Sequence, residues 1–159
     1  MHENFAQKAY FEWVKKMKDN KEILSSVLKT TQMGQVGIRA VMNYAVRPDL
    51  KNELKSQLRE YDAIEQEAHA IASARGWEPK ELDPTSKTMA KLYSRARFTA
   101  GCADSKIAAM MIQGNTRGMI KTIKNQHHST KNQDLRIFRL SQKLLDFEKA
   151  NIQQMQGYL

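Results

Sequence analysis

Apolar residues recur at three- and four-residue steps along most of the chain, the spacing that gathers side chains onto one face of an α-helix. Strand-type alternation is scarce, and three prolines and seven glycines punctuate the pattern at few places, so the sequence predicts a nearly all-helical protein. Phe5, Tyr10, Phe11, Trp13, Val14 and Met17 make a short amphipathic arm within residues 1–19. A first long helix is expected over 21–45, with Ile23, Leu24, Val27, Leu28, Ile38, Val41 and Met42 on its apolar face and Thr31, Gly34 and Gln35 interrupting that face midway. Glycines in a helix interior cost about 1 kcal/mol each relative to alanine, so Gly34 and Gly37 suggest close helix approach. Pro48 suits the first turn of a second helix, which runs to about Arg75 and stops at Gly76. Trp77 to Asp83 reads as a connector, and Asp83-Pro84 as an N-cap followed by a first-turn proline. The helical pattern from 85 to 126 would give a single rod of about 60 Å, too long for its neighbours. A break near Gly101 is therefore expected, giving a short helix at 85–99 and a long one at 103–126, with Gly114 and Gly118 marking close packing. The last helix, 132–157, is expected to pack through Phe138, Ser141, Leu144, Leu145, Glu148, Ile152, Met155 and Leu159. The prediction is thus one domain over 1–159, an arm at 1–19 and an antiparallel four-helix bundle at 21–159, with short extra helices at the N-terminus and before the third long helix.

Polar residues fall inside these apolar faces. Glu65 lies in the stripe of Leu54, Leu58, Tyr61, Ala68 and Ala72, with His69 one turn on; Gln35 and Glu148 hold similar positions on the first and last helices. Burying a charge costs several kcal/mol unless it is paired, so these groups are solvated, matched to one another across helices, or ligands. As a self-contained mid-bundle layer, Gln35, Glu65, His69 and Glu148 would satisfy each other by hydrogen bonds.

Four long helices with mid-helix polar residues resemble the ferritin-like four-helix bundles, and the run from Leu144 to Leu159 resembles the last helix of spore-coat-type proteins of spore-forming bacteria. The ferritin-like resemblance implies a four-helix-bundle layout and, in metal-binding members, a Glu from each of two helices and Glu-x-x-His from the other two. This chain departs from that set: Gln35 stands where a Glu is wanted, Gln66 precedes His69 by three residues, and Asn151 follows Glu148 by three. A dinuclear centre is not expected. Glu65, His69 and Glu148 are the residues that would hold a single metal ion, and no other cofactor is expected.

Charge changes the picture. The net charge of +9 is confined to the second half: residues 1–83 carry 13 Lys/Arg against 13 Asp/Glu, and residues 84–159 carry 13 against 4. Either the basic half pairs with Glu53, Glu60 and Glu67 of the second helix, or Lys87, Lys91, Arg95, Arg97, Lys121 and Lys124 form a surface for nucleic acid or another polyanion. The single cysteine, Cys102, excludes an internal disulfide and reads as a small helix residue. The adjacent His127 and His128 point in different directions and make a poor ligand pair. No apolar run reaches a membrane span, and the N-terminus lacks a secretory core, so a soluble cytoplasmic protein is expected, with spore association as an extension of the resemblance. No nucleophile elbow, triad spacing or phosphate loop appears. The first expectation is a non-enzymatic structural or interaction role, through a protein partner or self-association. A metal-binding ferritin-like protein and a basic polyanion-binding module are the alternatives.

Overall fold

A computed structural model describes residues 4–83, 103–130 and 132–159. Its elements are helical: α1 (Phe5–Lys16), α2 (Asn20–Val41) continued by a 3₁₀ turn (Met42–Tyr44), α3 (Pro48–Ala74), α4 (Ala103–His127) and α5 (Leu135–Gln156). The expected short helix at 85–99 and its Asp83-Pro84 cap fall on or against residues 84–102, outside the described residues.

Local chemistry sets the helix ends. Asp19 caps α2, its carboxylate accepting from the Glu22 backbone N–H at 2.8 Å. Pro48 opens α3 with a fixed φ, and Gly76, at φ +65°, ends it in the left-handed conformation that only glycine adopts cheaply. The last helix starts at Leu135 rather than 132, because Asp134 takes the cap position and accepts from Arg136 N at 3.0 Å and Ile137 N at 3.3 Å.

The core is apolar and continuous: Leu24, Leu28 and Ile38 of α2, Leu50, Leu54, Ile64 and Ile71 of α3, Ile107 of α4, and Ile137, Leu140 and Leu144 of α5. Each such side chain contributes about 1.5–3 kcal/mol when fully removed from water. Two expected stripes are buried in the main and differ at their edges. On α5, Ser141, Leu144, Leu145, Glu148 and Met155 are buried as expected, but Phe138 is exposed and Ile152 half-buried, and Ile137, Leu140 and Asn151 face inward as well; Leu159, beyond the helix, is exposed. On α3 the buried line passes through Gln57, Ile64 and Ile71, leaving Leu58 half-buried at the edge. A step of three in place of four shifts a helical stripe by tens of degrees, which is enough to exchange these neighbours.

Hydrogen bonds fix which helix ends meet. At one end the Asn20 side chain accepts from Asp134 N and donates to Asn132 O, both at 2.9 Å, while Arg75 from the end of α3 bonds the Asp134 carboxylate. Lys18 N donates to His128 O at 2.8 Å, so the start of α2 also meets the end of α4. At the other end Asp104, in the first turn of α4, accepts from Val46 N at 2.8 Å and Arg47 N at 3.0 Å. The connector after α3 runs back along α2: Lys80 N donates to Ser25 Oγ, and Leu82 N to Gln32 Oε1. The arm α1 stands outside the core, with Phe5 87% and Tyr10 61% exposed.

Burial alone would raise the Asp134 carboxyl, but the Ile137 N–H, the Arg75 side chain and the Arg136 N–H together hold it below the usual carboxylate range. Its contribution is therefore present above the unfolded-state pKa and lost as pH falls through the lower folded value. Asp134→Ala, which removes the cap and strands Arg75, is expected to lower stability by about 1–2 kcal/mol. Asp134→Asn, which keeps a capping oxygen, should lose less; urea melts of both at pH 7 check the order.

Candidate functional site

The four polar residues expected as one layer divide into two places. Gln35, fully buried on α2, donates its side-chain amide to Glu65, and Gln32 donates to the other Glu65 oxygen at 3.3 Å. His69 does not face the core. Its side chain is 45% exposed and its Nε2 lies 3.0 Å from Glu81 and 3.7 Å from Glu65, a boundary cluster closed by the connector. Glu148 is elsewhere, buried with 1% of its surface exposed, and no bond joins it to Gln35, Glu65 or His69. The metal ligand set Glu65, His69 and Glu148 is therefore not brought together, and among the described residues no group of three or more His, Cys, Asp or Glu is placed to hold a metal. Glu65 and His69 fall outside the buried stripe for the same reason that Leu58 does: the α3 face turned inward is centred on Tyr61, Ile64, Ala68 and Ile71.

Glu148 of α5 packs against Gly118 of α4. A Cβ at Gly118 would overlap its carboxylate, standing 2.7 Å from both Cδ and Oε2. Tyr61 is accommodated in the same way, since a Cβ on Gly34 would reach 2.6 and 2.8 Å from its ring atoms. Gly34 and Gly118 thus mark close approach, as their positions in helix interiors suggest. Gly37 and Gly114 do not: a Cβ at either would meet nothing within 4 Å among the described residues, and both line open space.

That space is a cavity of about 510 Å³ between α2 and α4, with Tyr61 and Glu148 reaching it from α3 and α5. Met33, Val41, Met110 and Met111 supply apolar wall, and Lys29, Arg117 and Lys121 supply positive charge. Beside it the Tyr61 hydroxyl donates to Asn115 Oδ1 at 2.8 Å, Asn151 Nδ2 donates to the same oxygen at 3.3 Å, and Asn115 Nδ2 donates to Met111 O at 2.7 Å. Phe147 packs edge-on to the Tyr61 ring, centroids 4.8 Å apart. Asn151, three residues after Glu148, is committed to Asn115. Burial, and then the nearby Glu148 charge, push the Tyr61 phenol upward. Sequence reading missed this triad; its only signal was that Asn115 and Asn151 fall at helical spacing from the apolar positions around them.

Glu148 Oε2 is buried and has no hydrogen-bond partner among the described residues. Burial pushes the carboxyl up to about 8. Such an acid is neutral in the fold at pH 7, and below about 8 it is able to donate one hydrogen bond and accept others.

A second charged region adjoins the first. A cleft of about 650 Å³ is lined by Lys15, Lys18, Arg117, Lys121, Lys124 and His128, with Glu22 as its one acid among the described residues. A smaller one of about 330 Å³ continues it past Lys21, Lys29 and Lys80, and there Asp19, Glu22 and Glu78 also line the wall. Among the described residues Lys18, Lys29, Arg117, Lys121 and Lys124 form no ion pair; the pairs that do form are Arg47–Asp49, Arg75–Asp134, Lys143–Glu67 and those of His69. The expected pairing of the basic half with the acids of the second helix is represented there by Glu67 alone, with Lys143 at 3.5 Å. Partial burial, followed by the charges of Lys18 and Lys29, lowers the Lys121 ammonium below its ordinary value. Lys121 and Lys124 both line this cleft, whereas Lys87, Lys91, Arg95, Arg97 and Cys102 lie outside the described residues. His127 closes α4, and His128 Nδ1 pairs with the Lys124 carbonyl at 2.7 Å, a structural contact. Among the described residues no helix is long and apolar enough to cross a membrane.

Because Glu148 takes up a proton more readily in the folded chain than in the unfolded one, its cost to stability is absent below about pH 4.5 and grows until pH passes about 8. Between those limits the slope is at most about 1.4 kcal/mol per pH unit. Glu148→Gln should remove this slope, so that its melting temperature approaches or exceeds that of the parent at pH 8; parallel thermal melts at pH 5, 6.5 and 8 measure it. The chain matches no protein-family model, and no curated protein or solved structure shows significant similarity to it.

Proposed function

We propose that the protein is a non-enzymatic helical-bundle interaction module that docks on a polyanion, nucleic acid being the partner whose charge spacing suits it, through the basic cleft between the N-terminal arm and α4. The observation that carries this reading is the crowding of Lys18, Lys29 and Lys121, with Arg117 and Lys124 beside them and no ion pair to any of the five among the described residues. Like charges held together raise the free energy of the isolated protein, and an array of phosphates relieves that repulsion while releasing its own counterions. The segment from Pro84 to Cys102 adds four Lys/Arg and no acid, so it has no carboxylate with which to neutralise the cleft.

The bundle would act as scaffold. End-to-end contacts support an arrangement in which α2 and α5 run one way and α3 and α4 the other: the starts of α2 and α5 meet at Asn20 and Asp134, and the end of α3 meets the start of α5 at Arg75. This up-down-down-up order, with a connector returning along α2, is compatible with a ferritin-like layout, and the spore-coat-type resemblance fits a scaffolding role. The metal-binding alternative loses ground because its three ligands lie in two places. Self-association through the exposed aromatic residues of α1 remains compatible with a scaffold.

Fluorescence anisotropy with a random-sequence DNA duplex tests the docking reading. If four phosphates are engaged, affinity should fall about 10²-fold between roughly 50 and 200 mM salt. Reversing Arg117, Lys121 and Lys124 to Glu should weaken binding by at least about tenfold at low salt, with the helical circular dichroism unchanged. Binding that ignores salt, or that survives the triple reversal, would refute the assignment.

A further inference from the structure

The cavity beside Glu148 has features that the polyanion reading does not use. Two glycines in helix interiors, Gly37 and Gly114, face open space, although each costs about 1 kcal/mol relative to alanine and no packing among the described residues requires them. They leave an open slot between α2 and α4, and Gly34 and Gly118, which also line it, admit the Tyr61 ring and the Glu148 carboxylate to its wall. Its about 510 Å³ lies within the range of small-molecule sites. Methionines, which favour contact with aromatic rings through polarizable sulfur, line it at Met33, Met110 and Met111. At its inner wall is the Glu148 carboxyl with a buried, unpartnered Oε2, and at its rim are three cations, Lys29, Arg117 and Lys121.

We infer that this slot binds a flat heteroaromatic anion carrying two adjacent N–H donors on one ring edge, as in a guanine nucleotide, with both N–H groups donated to Glu148 and the anionic group held by Lys29, Arg117 and Lys121. A cationic amine would also satisfy the carboxylate, but it would have to pass three positive charges to reach it. A simple acyl chain would fill the apolar walls and leave Oε2 unpaired, at a cost of about 1–3 kcal/mol. A ring edge with two N–H groups satisfies both carboxylate oxygens, the bidentate arrangement that gives geometric specificity.

Protons accompany the binding. The charged and titratable groups that line the slot with Glu148 are Lys29 from α2, Tyr61 from α3, and Arg117 and Lys121 from α4. Of the two acids only Glu148 titrates near neutrality, since Tyr61 is pushed upward. To accept two N–H bonds Glu148 must first release its proton, so affinity should rise with pH until the free carboxyl, at about 8, is ionised.

Isothermal titration of the full chain with 5′-GMP, 5′-AMP and inorganic phosphate decides the matter. GMP should bind at least roughly tenfold more tightly than AMP, whose ring nitrogen would set an acceptor against the carboxylate, and inorganic phosphate should bind more weakly than either. From pH 6 to 7 the GMP affinity should increase by up to about tenfold, with proton release visible as buffer-dependent heat. Glu148→Gln should abolish the preference and reduce the pH dependence of GMP binding to that of AMP, whose phosphate titrates in the same way near about pH 6, while leaving phosphate binding intact. Equal affinity for GMP and AMP, a GMP affinity flat from pH 6 to 8, or a preference retained in Glu148→Gln would each overturn the assignment. The first two outcomes are read on the unaltered protein, so they stand even if the variant does not fold. Lys29, Arg117 and Lys121 serve both readings, but the base preference is read at Glu148, which takes no part in the basic cleft, so its loss and the loss of DNA binding are distinguishable.

Discussion

Two helices approach as closely as their side chains allow, and here two glycines set that limit. Gly34 yields the volume of a side chain to the Tyr61 ring, and Gly118 yields it to the Glu148 carboxylate. Any Cβ at these positions would displace a bulky ring or a buried acid. The pairing of α2 with α3 and of α4 with α5 thus depends on the absence of two carbon atoms. Once Tyr61 is seated, its hydroxyl requires a buried acceptor, which Asn115 supplies, and Asn115 in turn engages Asn151. The polar chain crosses from α3 through α4 to α5 inside an otherwise apolar core, where a broken link would leave unsatisfied groups worth about 1–3 kcal/mol each.

Much of the helical layout was legible in the sequence because it rests on local chemistry. Pro48 and Gly76 bound α3 within a residue of where spacing puts them, and Ala103–His127 fits the helix expected over 103–126. The candidate site was legible in composition but not in connection. Glu148 is as buried as its place in the α5 stripe implies, yet Glu65 and His69, one turn apart on α3, lie at the edge of the core. Their inward or outward direction is decided by which flank of α3 meets α2, and that is set by Tyr61 docking on Gly34, a contact between residues 27 positions apart with no periodic signature. All four glycines border the cavity, and the split into two whose Cβ space is taken by a side chain and two whose Cβ would meet nothing within 4 Å among the described residues is equally invisible in spacing, since all four sit at helical intervals.

Charge shows the same limit. The excess of positive residues in the second half is plain from counting, but the cleft it feeds also draws on Lys15, Lys18 and Lys29 from the balanced first half. Folding carries these cations toward Lys121 because the start of α2 is tied to the end of α4 at Lys18 and His128. The Lys121 ammonium is lowered first by burial and then by the charges of Lys18 and Lys29 that this closure brings near.

The junction of Asn20, Arg75 and Asp134 also has a bearing on how the chain folds. Asn20 and Asp134 are 114 positions apart, and Arg75 and Asp134 are 59 apart. Closing loops of that length is entropically costly and offers no return until the ends meet, so the local pairs α2–α3 and α4–α5 can form well before the junction does. The carboxylate of Asp134 acts on both scales, starting its own helix through nearby N–H groups and clasping the far end of α3. One acidic side chain therefore links the earliest local step of α5 to the last long-range closure of the molecule.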